Sequence, residues 1–447
     1  MVLVFSRFYN LERTAKINRD EAADLMKIHQ YWVEKKISLI GPISEDGNMV
    51  YSALTYYLVM PFAVLGNFKA VSPAWGAAFW GVVAVVLLLL IINKRNKKIV
   101  GLVFILLLVL FPLVETGRWC WNPNFIPFWL ALGFYLYGFD RRMTMLLSGL
   151  AMGMAVHHHY LGLIPVVGWG LVTIIDYWKK DKIKIIFFAA GAILPLLVFA
   201  AFDLTHPPGL FITRAMYFNR TQKSLNLSVL EIFMSYLFRD EWAVYIGGFL
   251  CGLLLFIDGI KWEKLKYFLP ILLQSIVNLF IGDLQAHYFI ASVIFYLLWL
   301  LAPRKKSAEL TQIVLIIFLI IVNIAPTLSK IFVTQYDNAY MIDKIANVIT
   351  DDIRSGQLIN ANVAVLQSED INSIGLKYRD MLRLRNQKIL SQDEYGISDN
   401  LYVISTGDEA SLRNDPSTQM QIFKNGVLKN KWEIQGTNWI VYRFDRY

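Results

Sequence analysis

Ten stretches of this chain are apolar enough, and most are long enough, to cross a lipid bilayer: roughly residues 75–93, 99–115, 122–139, 143–157, 161–178, 183–203, 242–259, 266–282, 286–302 and 309–331. A bilayer's hydrocarbon core is about 30 Å thick and takes about 20 helical residues to span. It offers no water to backbone amides, so each stretch must satisfy its own hydrogen bonds, and the helix is the way to do so within one segment. Composition agrees: of 447 residues, 56 % are hydrophobic and 14 % aromatic, and the mean hydropathy is +0.46. The expectation is an α-helical, polytopic membrane bundle. Met1 to Phe8 reads as the end of one further, truncated span, which brings the total to about 10–11.

The net charge of +9 is distributed by topology. Lys94, Arg95, Lys97 and Lys98 share one connection, Arg141 and Arg142 another, and Lys179, Lys180, Lys182 and Lys184 a third. Lys261, Lys264 and Lys266 form the fourth group, and Arg304, Lys305 and Lys306 the fifth. The alternate connections are nearly free of cations, with Arg118 alone around 116–121. Cytoplasmic loops carry such an excess, so the basic set is expected inside the cell and the other set outside. The basic excess is thereby accounted for, and nucleic acid drops out as a partner. The two cysteines, Cys120 and Cys251, fall in a loop and an apolar segment, which gives neither a disulfide nor a thiol metal site.

This orientation puts residues 12–74 on the outer side as a long loop with surface helices, including the aromatic run 51–68, which Pro61 interrupts. The 204–241 loop falls on the same side, as does 335–447, where the apolar runs give way to alternation. Asn362-Val-Ala-Val-Leu-Gln, Leu401-Tyr-Val-Ile-Ser and Trp439-Ile-Val-Tyr-Arg-Phe read as strands, and 338–354 and 370–383 as helices. The domains expected are therefore a transmembrane domain over 1–334 and a small extracytoplasmic α/β domain over 335–447.

The unusual polar residues also gather on the outer face. Asp20 and Glu21 stand together in Ile17-Asn-Arg-Asp-Glu-Ala-Ala-Asp-Leu25, where two carboxylates suit general-base chemistry but equally suit the first turn of a helix. A second outer loop holds Arg118, Trp121, Asn122 and Asn124; a third holds His157-His158-His159-Tyr160. The long loop carries Arg214, Arg220 and Arg239, and the last holds Asp283, His287 and Tyr288. Arginines there suit phosphate. Three consecutive histidines cannot all face one way on a helix, so a three-histidine metal site is not expected.

In this order the residues resemble the GT-C glycosyltransferases that use polyprenyl-phosphate sugars, in the branch of the protein O-mannosyltransferases and the lipid A aminoarabinose transferase (glycosyltransferase family 39-like). The resemblance rests on the pair Asp20-Glu21, then Gly41-Pro42 with Tyr56-Tyr57, then Arg118 with Trp121 to Asn124, then His159-Tyr160 and His287-Tyr288. It implies an inverting transfer from a polyprenyl-phosphate donor to a hydroxyl or amine of a glycan, lipid or protein acceptor, at the outer face of a cell (inner) membrane among its lipids. Asp20 would be the base, with Glu21 assisting it or holding acceptor or metal. Tyr57, Arg118, Asn122, Asn124, His159, Tyr160, Arg214, Arg220 and His287 would bind substrate. A divalent metal serves some relatives and not others. The lysine that some relatives place before the surface helix has no counterpart at Asn48-Met49-Val50, so phosphate binding would fall to Arg118, Arg214 or Arg220. A transporter or flippase for lipid-linked glycans is the alternative from another class, and an O-antigen ligase or polymerase is the nearest enzymatic one. Charges deep within the spans would favour the transporter.

Overall fold

The computed structural model describes residues 1–447 apart from 45–48, 215, 217–224, 260, 282–283, 367–373 and 447. Helices dominate, and the chain divides into two compact units. The first comprises Met1–Asn10, Ser38–Val59 and Ala74–Val333; the second comprises Leu11–Ile37, Met60–Pro73 and Thr334–Tyr447. The 12–74 stretch is therefore shared between them.

Every apolar stretch predicted to span is helical in the first unit. Five helices among the described residues reach spanning length and hydropathy: Ser72–Arg95, Tyr160–Tyr177, Lys182–Thr205, Glu241–Asp258 and Lys306–Phe332. Shorter apolar helices fill the remainder, including Ile126–Tyr137, Arg142–His158, Phe268–Asn278 and Ile290–Leu300. The 99–115 stretch breaks in two at Leu110, whose extended backbone caps a new helix with Pro112, which has no N–H to continue the previous one, in its first turn, giving Val100–Val109 and Phe111–Thr116. The chain is a multi-pass membrane protein. Outward-facing leucines and isoleucines such as Ile186, Leu194 and Leu197 are exposed, as lipid-facing positions should be.

The closest helix pairing is between Arg142–His158 and Lys182–Thr205, and glycines permit it. A Cβ on Gly149 would land on the carbonyl oxygen of Phe188, one on Gly153 on that of Ala192, and one on Gly191 on that of Leu146. Small residues spaced by four let membrane helices approach backbone to backbone, where dispersion replaces the missing hydrophobic drive.

The five basic connections meet at one end of this unit. Lys94 donates to the Gly138 carbonyl at 2.7 Å, Arg95 to the Tyr267 hydroxyl at 2.6 Å, and Arg142 pairs with Asp181 at 3.4 Å. Lys266 pairs with Asp176 at 2.8 Å, Lys98 with Glu309 at 3.6 Å, and Arg304 with the buried Asp258 at 2.8 Å. The basic connections thus gather at one end of the unit. In the described spanning helices the charged residues lie within a few positions of an end.

The second unit contains a four-stranded sheet of β3 (Ala361–Leu366), β4 (Asn400–Ser405), β5 (Val427–Glu433) and β6 (Ile440–Asp445), after the two-stranded β1 (Ile40–Ile43) and β2 (Val50–Ser52) of the first unit. The order is β3-β4-β6-β5, with β3 and β4 parallel and the other pairs antiparallel. Every residue of β3 and β4 is buried, as expected of parallel strands covered on both faces. β5 went unpredicted because Val427-Leu-Lys-Asn-Lys-Trp-Glu is an edge strand whose charges protect it. The N-terminal segment is woven into this unit: the Ile17 N–H donates to the Asp337 carbonyl at 2.9 Å, and the Gln335 N–H to that of Arg13 at 2.9 Å. Lys16 bridges antiparallel to Asn338. The helix Arg19–Glu34, burying Leu25 and Ile28, packs on the helix Leu376–Leu384.

Candidate functional site

At the end of the first unit opposite the basic connections, four predicted pieces come together. Helices running away from that basic end deliver them: Arg142–His158 ends in His157 and His158, and the short turns Asn122–Phe125 and Ala286–Phe289 begin the next helices. Trp121 meets His287 edge to face at 4.3 Å and stacks on Trp119 at 4.9 Å. His159 lies 5.4 Å from both Tyr51 and Tyr288 and 6.4 Å from His287, measured between ring centroids. Tyr51 also stacks on Tyr160 at 5.4 Å, and the Tyr160 hydroxyl donates to the Val50 carbonyl. An aromatic and imidazole-lined patch built from four separate loops results.

The three histidines face three ways. His157 bonds to the Ser52 hydroxyl and the Pro195 carbonyl, both at 3.0 Å. His158 bonds to Thr55 through Nδ1 at 2.8 Å, and its Nε2 accepts from Trp129 at 2.9 Å, which fixes the proton on Nδ1. Those two hold helices together; His159 alone enters the patch, where Nδ1 accepts the Leu161 N–H at 3.3 Å. Burial holds the His159 imidazole down at about 4, so it is neutral at physiological pH. Asn122 donates to the His158 carbonyl at 2.5 Å and Asn124 to that of Trp119 at 2.6 Å, so both amides shape the loop. Tyr57 is tied to the backbone of Ser38, accepting from its N–H and donating to its carbonyl at 2.7 Å.

Arg118 is wholly buried, and burial lowers it to about 10, still a cation at neutral pH. It donates to the carbonyls of Ser6 at 3.0 Å, Arg7 at 3.2 Å and Tyr9 at 2.8 Å, closing the end of the helix Val2–Phe8. Arg7, equally buried, donates to Leu107 at 3.0 Å beside Gly117, which has no side chain to obstruct it. These arginines satisfy helix-end carbonyls. Arg214 is exposed on a short turn whose N–H groups converge on the Asp203 carboxylate, and Arg220 and Asp283 lie outside the described residues.

A further cation is Arg239, one of the long-loop arginines that suit phosphate by sequence. It takes a left-handed φ of 72° at the end of the helix Val229–Phe238 and lays its guanidinium 4.0 Å from the Phe111 ring centroid. Its Nε is buried without a hydrogen-bond partner, beside a cavity of about 380 Å³ lined also by Ser228, Glu231, Ser235, Tyr236 and Ala286. Left-handed φ in a non-glycine residue was the available signal, and sequence does not carry it.

Asp20 and Glu21 belong to the second unit. They open the helix Arg19–Glu34, where the Glu21 carboxylate is buried and accepts the Asn18 N–H at 2.7 Å, a helix cap. Asp20 is half-buried in the same first turn. Among the described residues, no group of three or more His, Cys, Asp or Glu is placed to hold a metal ion.

No protein-family model matches the sequence, and no curated protein does. Solved structures do: over 99 % of this chain and 96 % of the other, the fold superposes on ArnT from Cupriavidus metallidurans bound to undecaprenyl phosphate, with a TM-score of 0.60 and 8 % identity. The same protein in the apo state covers 99 % and 95 % of the two chains, with a TM-score of 0.49 and 11 % identity. The fold is ArnT-like.

Proposed function

We propose that this protein is a membrane glycosyltransferase that moves a sugar from a polyprenyl-phosphate donor to an acceptor hydroxyl or amine. The observation that carries the reading is the GT-C-like fold over nearly the whole chain, whose counterpart is bound to undecaprenyl phosphate. The polar patch at the end of the bundle opposite the basic loops adds to it, as does the rule that basic loops are cytoplasmic, which makes the patch extracytoplasmic. Confinement of charge to the helix ends weighs against a transporter, which would carry charges at mid-membrane.

In the proposed step the acceptor oxygen or nitrogen attacks the anomeric carbon with inversion. The bond from that carbon to the phosphate oxygen breaks, its electron pair leaves on the lipid phosphate, and the acceptor proton passes to a carboxylate. The leaving group is already an anion, so the site needs positive charge there more than an acid. Arg239 is the cation assigned to it, in place of Arg118, whose two terminal nitrogens already donate to the carbonyls of Ser6, Arg7 and Tyr9. The base assigned is Asp20, by resemblance, while Glu21 serves the helix as its cap.

The test incubates purified protein with radiolabelled polyprenyl-phosphate sugars and membrane extract, and follows release of polyprenyl phosphate from wild type, Asp20→Asn and Arg239→Gln. Expected are release from at least one donor, a fall of about 10²-fold or more in Asp20→Asn, and a raised KM for donor in Arg239→Gln. Release from no donor refutes the transferase; release unchanged in Asp20→Asn refutes the base.

A further inference from the structure

The second unit contains a groove of about 660 Å³, the size of cavities that enclose small organic ligands. Three segments distant in sequence line it: the stretch around Asn67 to Lys69, the helix Ala339–Gly356, and the turn at Arg385 and Asn386. Their joining is specific. Asp343 accepts the Ala70 N–H at 3.0 Å on one oxygen and pairs with Arg385 at 2.5 Å on the other, while Arg385 Nε donates to Asn347 at 2.8 Å. Arg354 donates to the Arg385 carbonyl at 3.0 Å. The groove wall is thus a hydrogen-bonded frame.

Two further observations point to an occupant. Thr350, 3 % exposed, lines the groove, and its hydroxyl is buried without a hydrogen-bond partner. A buried hydroxyl left so costs about 1–3 kcal/mol, which a bound polar group would recover. The rim is also held in an uncommon backbone: Asn67, Phe68 and Asn386 all have left-handed φ, of 49°, 54° and 59°. Asparagine tolerates that conformation; for an aromatic residue such as Phe68 it is an outlier of the kind that gathers at tight turns and at functional sites.

The lining chemistry selects the ligand class. The lining mixes three carboxylates (Glu12, Asp343, Asp351) with four cations (Lys69, Lys344, Arg354, Arg385), so charges of both signs belong to it rather than a field of one sign. The side amides of Asn67, Asn347 and Asn386 offer donors and acceptors together, beside the ring of Phe68. Mixed donors and acceptors next to an apolar ring suit a neutral molecule with many hydroxyls. We propose that this groove of the second unit is a binding site for a neutral oligosaccharide of about disaccharide size, with Thr350 and the three asparagines as its hydrogen-bonding wall. This holds whether or not the chain is a transferase.

Saturation-transfer NMR on the full-length protein in lipid nanodiscs, which carry no sugar headgroup, tests it with maltose, cellobiose, mannobiose and chitobiose as probes and inorganic phosphate as competitor. Expected is saturable transfer to at least one disaccharide, undisturbed by phosphate and weakened about five-fold in Thr350→Val, the factor for one hydrogen bond. Asn386→Gly removes an amide from a position whose φ favours glycine, so the variant folds, and it too should bind more weakly. No transfer to any of the four sugars, displacement by phosphate, or binding unaltered in both variants would overturn the site.

Discussion

His159 and Arg118 are both buried polar residues, and their environments set opposite behaviour. His159 is packed among aromatic rings as a neutral imidazole, its folded pKa near 4 against about 6.5 unfolded. Between those values the unfolded chain binds a proton that the folded one refuses, so stability rises with pH. His159 therefore contributes fully above about pH 6.5, and its contribution falls away as pH drops toward 4. His159→Phe keeps a stacking ring without the proton site, so its unfolding temperature should fall less between pH 7.5 and pH 4.5 than that of the wild type. Equal falls would show that the imidazole already protonates in the folded protein. Arg118 is where residue-level reading and structure part. Sequence showed a lone cation in an outer loop, and nothing in Thr-Gly-Arg-Trp could reveal that its donors meet the carbonyls of residues 6, 7 and 9, over a hundred positions away. Glu21 was more legible: Asn18-Arg-Asp-Glu21 has the spacing of a capping box, and it forms one of that box's two bonds, Asn18 N–H to the Glu21 carboxylate.

At the scale of elements, hydropathy and charge gave the helices and their sidedness because both follow from the solvent each segment meets. The ten predicted stretches are helical, and the basic connections between them do assemble. Packing partners were less visible, though one signal was present in Gly149-Leu-Ala-Met-Gly153 and Gly191. These glycines face carbonyls of the opposing helix, so any side chain there must push two backbones apart. Gly149→Ala is expected to lower stability by about 2 kcal/mol and Gly149→Leu by more, since overpacking of a close interface costs 1–3 kcal/mol per added group. Gly101, which has open space around its Cβ position, provides the control: Gly101→Ala should leave the unfolding temperature unchanged or raise it, because alanine is the better helix former. Thermal unfolding of the variants in detergent decides it; equal effects at positions 149 and 101 would mean the two helices can separate without cost.

On the scale of the whole chain, the second unit is assembled from pieces that a sequence boundary near 335 separates. Hydropathy marks where membrane helices stop, but it cannot report that residues 13–17 hydrogen-bond to 335–339, or that the helix bearing Asp20 packs on Leu376–Leu384. Such long-range pairing has no local signature. It carries a consequence for any attempt to separate the parts. The helix Arg19–Glu34 buries Ala22, Leu25 and Ile28 almost completely, and an isolated helix of 16 residues with so mixed a composition is marginal in water without a packing partner. A chain ending at Val333 should keep its membrane helices yet lose the fold of residues 11–37. Trypsin should then cut at Lys16, Arg19 and Lys27 within a digestion time that leaves the full-length protein intact there, while cleavage at Lys94 to Lys98 proceeds alike in both. Sugar transfer would be lost with the fold of that segment if Asp20 is the base, and restoring the missing C-terminal part as a separate polypeptide should recover protection and transfer together. Resistance of 11–37 in the shortened chain would show that the first unit alone can hold the acidic helix.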